Sequence, residues 1–301
     1  MRIAFFVHGY LPWDAYGVPR YVDRLANYLA DKGHQIFIIV IGRANLPKVE
    51  KPSKNIIIYR ISYFDFPIKR LIPILSLISY TLGSMLEASR LVKIANIQIL
   101  HGHTFQWGGL QSALVSRLTG KPCIITLHGQ GINGYTERKN PILRSFRWAK
   151  LVICREISAT RKILSWGFPK KKVILLPQGC IDIHRFKPAK NEPSKKQFVV
   201  TFLGRLIPFK NPHLLLDAAP FILSKHANTV FQFVGEGNLK ESLIVKTESM
   251  HIDNNVKFLG IKELPIFRII RTNYANGICR LTLETEAETT PNIMKSIIGV
   301  L

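Results

Sequence analysis

The sequence predicts an α/β protein of two domains, each a doubly wound parallel sheet. Short runs rich in Ile, Val and Phe alternate with helix-patterned stretches, the order that builds a parallel sheet covered on both faces. The alternation breaks once, at the polar, basic, proline-containing stretch HRFKPAKNEPSKKQ (184–197), and then restarts. A length of 301 residues suits two domains of ~150 residues each. The first domain is placed at 1–187, the linker at 188–197 and a second, incomplete domain at 198–301.

The opening run RIAFFV (2–7) is apolar without alternation, which predicts a strand buried on both faces. RYVDRLANYLADKGH (20–34) spaces Tyr21, Leu25, Tyr28 and Leu29 as a helix does and closes on Gly33. QIFIIVI (35–41) is the next strand. NIIIYRI (55–61), IQILHGH (97–103), PCIITLHG (122–129), LVIC (151–154) and VILLPQG (173–179) follow, with helical patterns between most of them. Beyond the linker the spacing predicts a strand at FVVTFLG (198–204), a helix over 212–225 and a strand at VFQFVGEG (230–237). A helix near 238–250, a strand at VKFLG (256–260), a helix near 263–272 and a strand at ICRLTL (278–283) complete the series.

The net charge is +23, from 42 Lys and Arg against 19 Asp and Glu. Such a field attracts phosphates, whether of nucleic acid, anionic lipid or a small molecule, and charge alone does not choose among them. The start MRIAFFVHGY lacks the pattern of a secretory signal, so a cytoplasmic protein is expected. Cys123, Cys154, Cys180 and Cys279 lie far apart with no C-x-x-C spacing, which fits buried thiols in a reducing compartment. LIPILSLISYTLGSML (71–86) is uncharged but shorter than the ~20 apolar residues of a spanning helix. It also holds Pro73, Ser76, Ser79, Thr81 and Ser84, so it reads as a buried helix or one that touches a bilayer surface beside Lys69 and Arg70.

In open parallel sheets ligands bind at the carboxyl ends of the strands, so the loops after the strands are the candidate sites. GRLIPFKN (204–211) is one: Gly204 permits a tight turn, Arg205 offers a planar fork of donors and Lys210 a point charge. The two cations can flank one diphosphate, with the helix start near Pro212 adding its positive end; the alternative is a solvated surface pair. Gly17 lies before a helix, either as a plain turn or as a close approach to phosphate. His128 ends a strand, where it is either structural or a donor to a sugar hydroxyl. His101 and His103 share one strand face, but no acidic or cysteine partner is near, so no metal is expected. FVGEG (233–237) continues as Asn238, Leu239 and Lys240 and lacks the third glycine of a dinucleotide loop.

These pieces, in this order, resemble glycosyltransferase family 4, retaining enzymes of the GT-B fold. The resemblance covers essentially the whole chain. RIAFFVHGYLPWDAYGVPRYVDRLANYLADKGHQIFIIV is similar to the family's opening strand, glycine loop and helix, with Tyr16 replacing the first loop glycine and Gly17 keeping the second. ITLHG (125–129) is similar to its histidine strand, and VILLPQGCIDIHRFKP to its Pro-Asn-Gly-Val-Asp…Phe-x-Pro segment, with Gln178 for the Asn. FLGRL…K, FQFVGEG and VKFLG follow in family order.

The resemblance implies two Rossmann-like domains facing a cleft and a nucleotide-diphosphate sugar as co-substrate, with no metal and no other cofactor. It implies that Arg205 and Lys210 hold the donor diphosphate, that Gly17 lies by the same phosphates and His128 by the transferred sugar, and that the loop at Gly260 lies near the base. Glu288 matches the first glutamate of the family's E-x(7)-E pair, in competition with Glu284 and Glu286, while the second position falls on Ser296. The family's closing helices would lie beyond Leu301, which implies a C-terminally truncated member with exposed apolar surface in its second domain. The expected reaction is sugar transfer, with retention, to a lipid-linked or cell-envelope glycan at the inner face of an anionic membrane. An inactive remnant that binds nucleotide or a partner is the alternative. A basic nucleic-acid-binding protein is the remote one, because no recognition module with interleaved aromatics is visible.

Overall fold

The computed structural model describes residues 1–12, 17–42, 45–61, 73–128, 145–176 and 198–261. The chain divides into two compact units, Met1–Cys180 and Ile181–Leu301. The sequence-predicted helix near 263–272, the strand at 278–283, and Glu284, Glu286, Glu288 and Ser296 lie outside the described residues, as do Cys180 and Cys279.

The first unit is built on strands β1 (Arg2–Val7), β2 (Gln35–Ile41), β3 (Val49–Ser53), β4 (Ile56–Ile61), β5 (Ile99–His103), β6 (Cys123–Leu127), β7 (Leu151–Cys154) and β8 (Val173–Leu175). They form one eight-stranded sheet in the order β3-β4-β2-β1-β5-β6-β7-β8. All neighbours are parallel except β3, which runs antiparallel on the β4 edge. The helices are α1 (Val18–Asp31), α2 (Pro73–Ile94), α3 (Gly109–Thr119) and α4 (Ile157–Ser165).

The unbroken apolar run of β1 is explained by two cores, one on each face. Ala4 and Phe6 join a cluster with Leu100, Ile125, Ala113 and Ile163, while Ile3, Phe5 and Val7 join another with Val22, Ala26 and Ala30 of α1. The fully buried stripe of α1 is therefore Val22, Ala26 and Ala30, flanked by partly buried Tyr21, Leu25 and Leu29. Tyr28, expected on the inner face, is 60% exposed with Lys32 over its ring. Small side chains let the helix seat closely on the sheet, which rotates the larger residues to its flanks. Gly33, at φ 82, turns the chain from α1 into β2 as expected from the sequence.

The second unit holds β9 (Phe198–Leu203), α5 (His213–Lys225), β10 (Thr229–Val234), α6 (Lys240–Ser249) and β11 (Val256–Gly260). Its described strands form a parallel sheet in the order β11-β10-β9. Phe231 and Phe233 are fully buried among Val200, Phe202, Leu215, Leu216, Ala219 and Leu243. Lys246 of α6 pairs with Asp217 of α5 across the helices that cover this core. Cys123 and Cys154 are buried free thiols, and burial pushes them up to about 12 and about 11.

Candidate functional site

In the second unit, three loops meet at the carboxyl end of the sheet. Gly204 N–H donates to Val234 O at 3.0 Å, Leu206 N–H to Glu236 O at 2.9 Å, Gly235 N–H to Gly260 O at 2.9 Å and Leu239 N–H to Leu206 O at 3.0 Å. The approach is so close that a Cβ on Gly235 would overlap the Gly204 carbonyl oxygen, and one on Gly237 the Leu206 carbonyl. Gly235 and Gly237 thus serve backbone-to-backbone packing, consistent with the absence of a third dinucleotide-loop glycine. Gly260 lies in the same knot at φ 67, with Glu236 beside it.

This knot fixes the backbone that carries the two sequence-predicted cations. Arg205 follows Gly204 directly and is exposed, and no hydrogen bond or ion pair joins its side chain to another described residue. Tight turns return the chain, Ile207 N–H to Arg205 O at 3.0 Å and Lys210 N–H to Ile207 O at 3.0 Å, and Lys210 stands with its Nζ 5.6 Å from the Phe209 ring centre. Asn211, at φ 46, and Pro212 then lead into α5, whose amino end is directed at this loop. A polar cleft of about 400 Å³ opens beside the knot, lined by Glu236, Gly237, Asn238, Lys240, Glu241 and Ile244.

In the first unit the chain order of the strands reverses between β1 and β5, the crevice where open α/β sheets place ligands. A histidine cluster fills the carboxyl end there. His101 and His103 stack with ring centres 4.1 Å apart, both edge-on to Phe5. His103 Nδ1 meets His128 Nε2 at 3.1 Å, and His101 Nε2 meets Thr126 Oγ1 at 2.7 Å. Burial holds His101 down at about 4 and His128 at about 3, with the Arg155 charge adding to the effect on His128. His103 is held well below the ordinary range by burial and by its charged and imidazole neighbours. Among the described residues no group of three or more His, Cys, Asp or Glu is arranged to hold a metal ion.

Gly17, at φ 63 and ψ −120, is the residue before α1, with open space where a Cβ would stand. One turn on, Tyr21 lays its ring 5.0 Å from His128 and under the Arg155 guanidinium, whose carbon is 4.1 Å from the ring centre. The fold therefore brings the Gly17 end of α1 and His128 to one place, and Arg205, Lys210 and Gly260 to another. Arg155 went unassigned by sequence reasoning, because it is a lone cation after a short strand, and His103 was weighed there only as half of a metal pair. The register makes it a neighbour: Leu127 pairs with Cys154, so His128 and Arg155 leave adjacent strands side by side.

Two family models match the chain: Glycosyltransferase Family 4 over residues 15–183 and Glycosyl transferases group 1 over residues 184–267. The chain belongs to glycosyltransferase family 4. Among curated relatives of this family 4 chain, the UDP-Gal:alpha-D-GlcNAc-diphosphoundecaprenol alpha-1,3-galactosyltransferase of Escherichia coli is 27% identical over 248 residues, 72% of the chain and 62% of the relative. A phosphatidylinositol N-acetylglucosaminyltransferase component of Arabidopsis thaliana is 23% identical, over 81% of the chain and 54% of the relative. The chain thus spans somewhat over half the length of these relatives. Among solved structures, Anabaena HepE in complex with UDP superposes with a TM-score of 0.67 at 16% identity, over 99% of the chain and 90% of the other. WaaG, a glycosyltransferase involved in lipopolysaccharide biosynthesis, gives 0.59 at 12%, over 89% and 72%. These likenesses show the α/β fold of GT-B glycosyltransferases expected from the sequence.

Proposed function

We propose that this family 4 chain transfers a sugar, with retention of configuration, from a nucleotide-diphosphate donor to a lipid-linked or cell-envelope glycan acceptor. The observation that carries the reading is the glycine-knotted loop of the second unit. It presents Arg205, unpaired among described residues, at the carboxyl end of a parallel sheet and just before a helix amino end. A diphosphate leaving group gathers negative charge as the sugar departs, and fixed cations held on a rigid backbone stabilise that charge without reorganisation. In this reading Arg205 and Lys210 hold the diphosphate, Gly260 flanks the base, Gly17 approaches the phosphates and His128 contacts the sugar. Glu288 is assigned to the sugar on resemblance alone.

UDP in the HepE structure and the UDP-Gal and diphosphoundecaprenol in the name of the Escherichia coli relative support the donor and acceptor classes. The test is a panel of nucleotide sugars in a thermal-shift assay with the full chain. At least one should raise the Tm, and Arg205→Ala should abolish that rise; an unchanged rise in the variant would overturn the assignment. Turnover of the same donor by product analysis then separates an enzyme from a chain that only binds nucleotide.

We further propose that α2 touches an anionic membrane surface. Among the described residues no helix is long and apolar enough to cross a bilayer. Yet Leu82 is 49% and Leu86 63% exposed, one turn apart on α2, and Arg90, Lys93 and Ile94 continue the exposed surface.

A further inference from the structure

Arg155 is 7% exposed, and among the described residues its Nε and Nη1 find no hydrogen-bond partner. His103 is fully buried, and its Nε2 is likewise without a partner among the described residues. Glu156, next in sequence, accepts from Ser158, and Asp23 of α1 accepts from Tyr10 and Asn27. A buried guanidinium with unmade hydrogen bonds is costly, far more so than a neutral polar group. It lies over the Tyr21 face, a contact that leaves the Nε and Nη1 donors unused. The surrounding imidazoles are neutral near pH 7, so the guanidinium is the charge of the cluster.

We propose that Arg155, with His103 and His128, forms an anion-binding subsite in the first unit that takes a phosphate group of the acceptor. The chemistry matches: a guanidinium binds phosphate bidentately, and a neutral imidazole N–H adds a third donor. His128 is partly exposed and marks where the cluster meets solvent, beside Arg155. Assignment to the acceptor rests on the donor-site reading above, which gives the donor diphosphate to Arg205 and Lys210. The site itself does not depend on that reading.

The experiment uses the full chain in an Arg205→Ala/Lys210→Ala background, which removes the proposed donor site. Calorimetry with inorganic pyrophosphate should still show binding there. Adding Arg155→Met should weaken that binding by about tenfold or more, and Arg155→Lys should lie between. In the otherwise unaltered chain, Arg155→Met should hold or raise the Tm without ligand, because it removes an unpaired buried charge. Pyrophosphate affinity unchanged by Arg155→Met overturns the proposal, as does a Tm lowered by ~5 °C or more, which would show that the guanidinium is structurally paired. Nucleotide stabilisation that survives Arg205→Ala instead overturns the donor reading and leaves this site standing. Farnesyl diphosphate serves as the second probe: tighter binding than pyrophosphate assigns the phosphate to a lipid, equal binding to a soluble ester, and either supports the site.

Discussion

At Gly235 the backbone sits at φ 145, and a Cβ would overlap the Gly204 carbonyl oxygen. Gly235→Ala should therefore cost ~1–3 kcal/mol of stability in urea unfolding, from strain and from separation of the two loops. Nucleotide-induced stabilisation should fall with it, since the displaced loop carries Arg205. The histidines give a second expectation. His101 and His128 are held at about 4 and about 3 in the folded chain, His103 well below its ordinary value, and all three titrate near ~6.5 when unfolded. Below ~6.5 the unfolded chain takes up protons that the folded chain refuses, so stability falls with pH until the folded values are reached. His101 and His128 should each account for a loss of ~2 kcal/mol by about pH 5, and His103 should add to it in the same direction. Urea unfolding at about pH 7 and about pH 5 measures the loss, and His101→Gln should reduce it by roughly one histidine's share; an equal loss in the variant would show that His101 titrates normally. These two positions differ in legibility. The Gly-x-Gly spacing is visible in the sequence, but its partner, the backbone of a loop some thirty residues earlier, is not.

Among the elements, β1, β2, β7 and β11 have the bounds that their apolar runs predict, because a buried parallel strand is written as an unbroken run of Ile, Val, Phe and Leu. β3 was not predicted from VEKPS, which alternates nothing apolar and contains Pro52. It forms because an antiparallel edge strand needs partners on one side only, and because buried Arg60 of β4 reaches Glu50 at 2.7 Å and Pro47 O at 3.0 Å. The π-helical turn at Thr104–Gly108 was equally illegible: it depends on Gly108 lying against the carbonyls of His103 and Phe6. For α2 the prediction concerns membrane contact. Leu82→Glu/Leu86→Glu should lower recovery with anionic vesicles in flotation by severalfold while changing the Tm little, since Leu82 is half and Leu86 mostly exposed. Equal recovery of wild type and variant would remove α2 from the contact.

Over the whole molecule, the net charge of +23 makes any association with anionic vesicles salt-dependent. Recovery should drop as salt rises from ~0.05 to ~0.5 M, and vesicles of neutral lipid should recover little protein; salt-independent recovery would leave the apolar face alone as the cause. The order of apolar runs, the polar break at 184–197 and the glycine and cation placements by themselves determined the α/β class, the two-part organisation and the family. Those features are local, and local patterning records whether a segment is buried and where it turns. Strand order and register were decided only in the tertiary structure. The reversal between β1 and β5, and the pairing of Leu127 with Cys154, bring His103, His128, Tyr21 and Arg155 together from four separate segments. No spacing along the chain encodes that meeting, because it arises from hydrogen bonds between strands more than twenty residues apart, and the unmet donors of Arg155 exist only once those strands have closed around it.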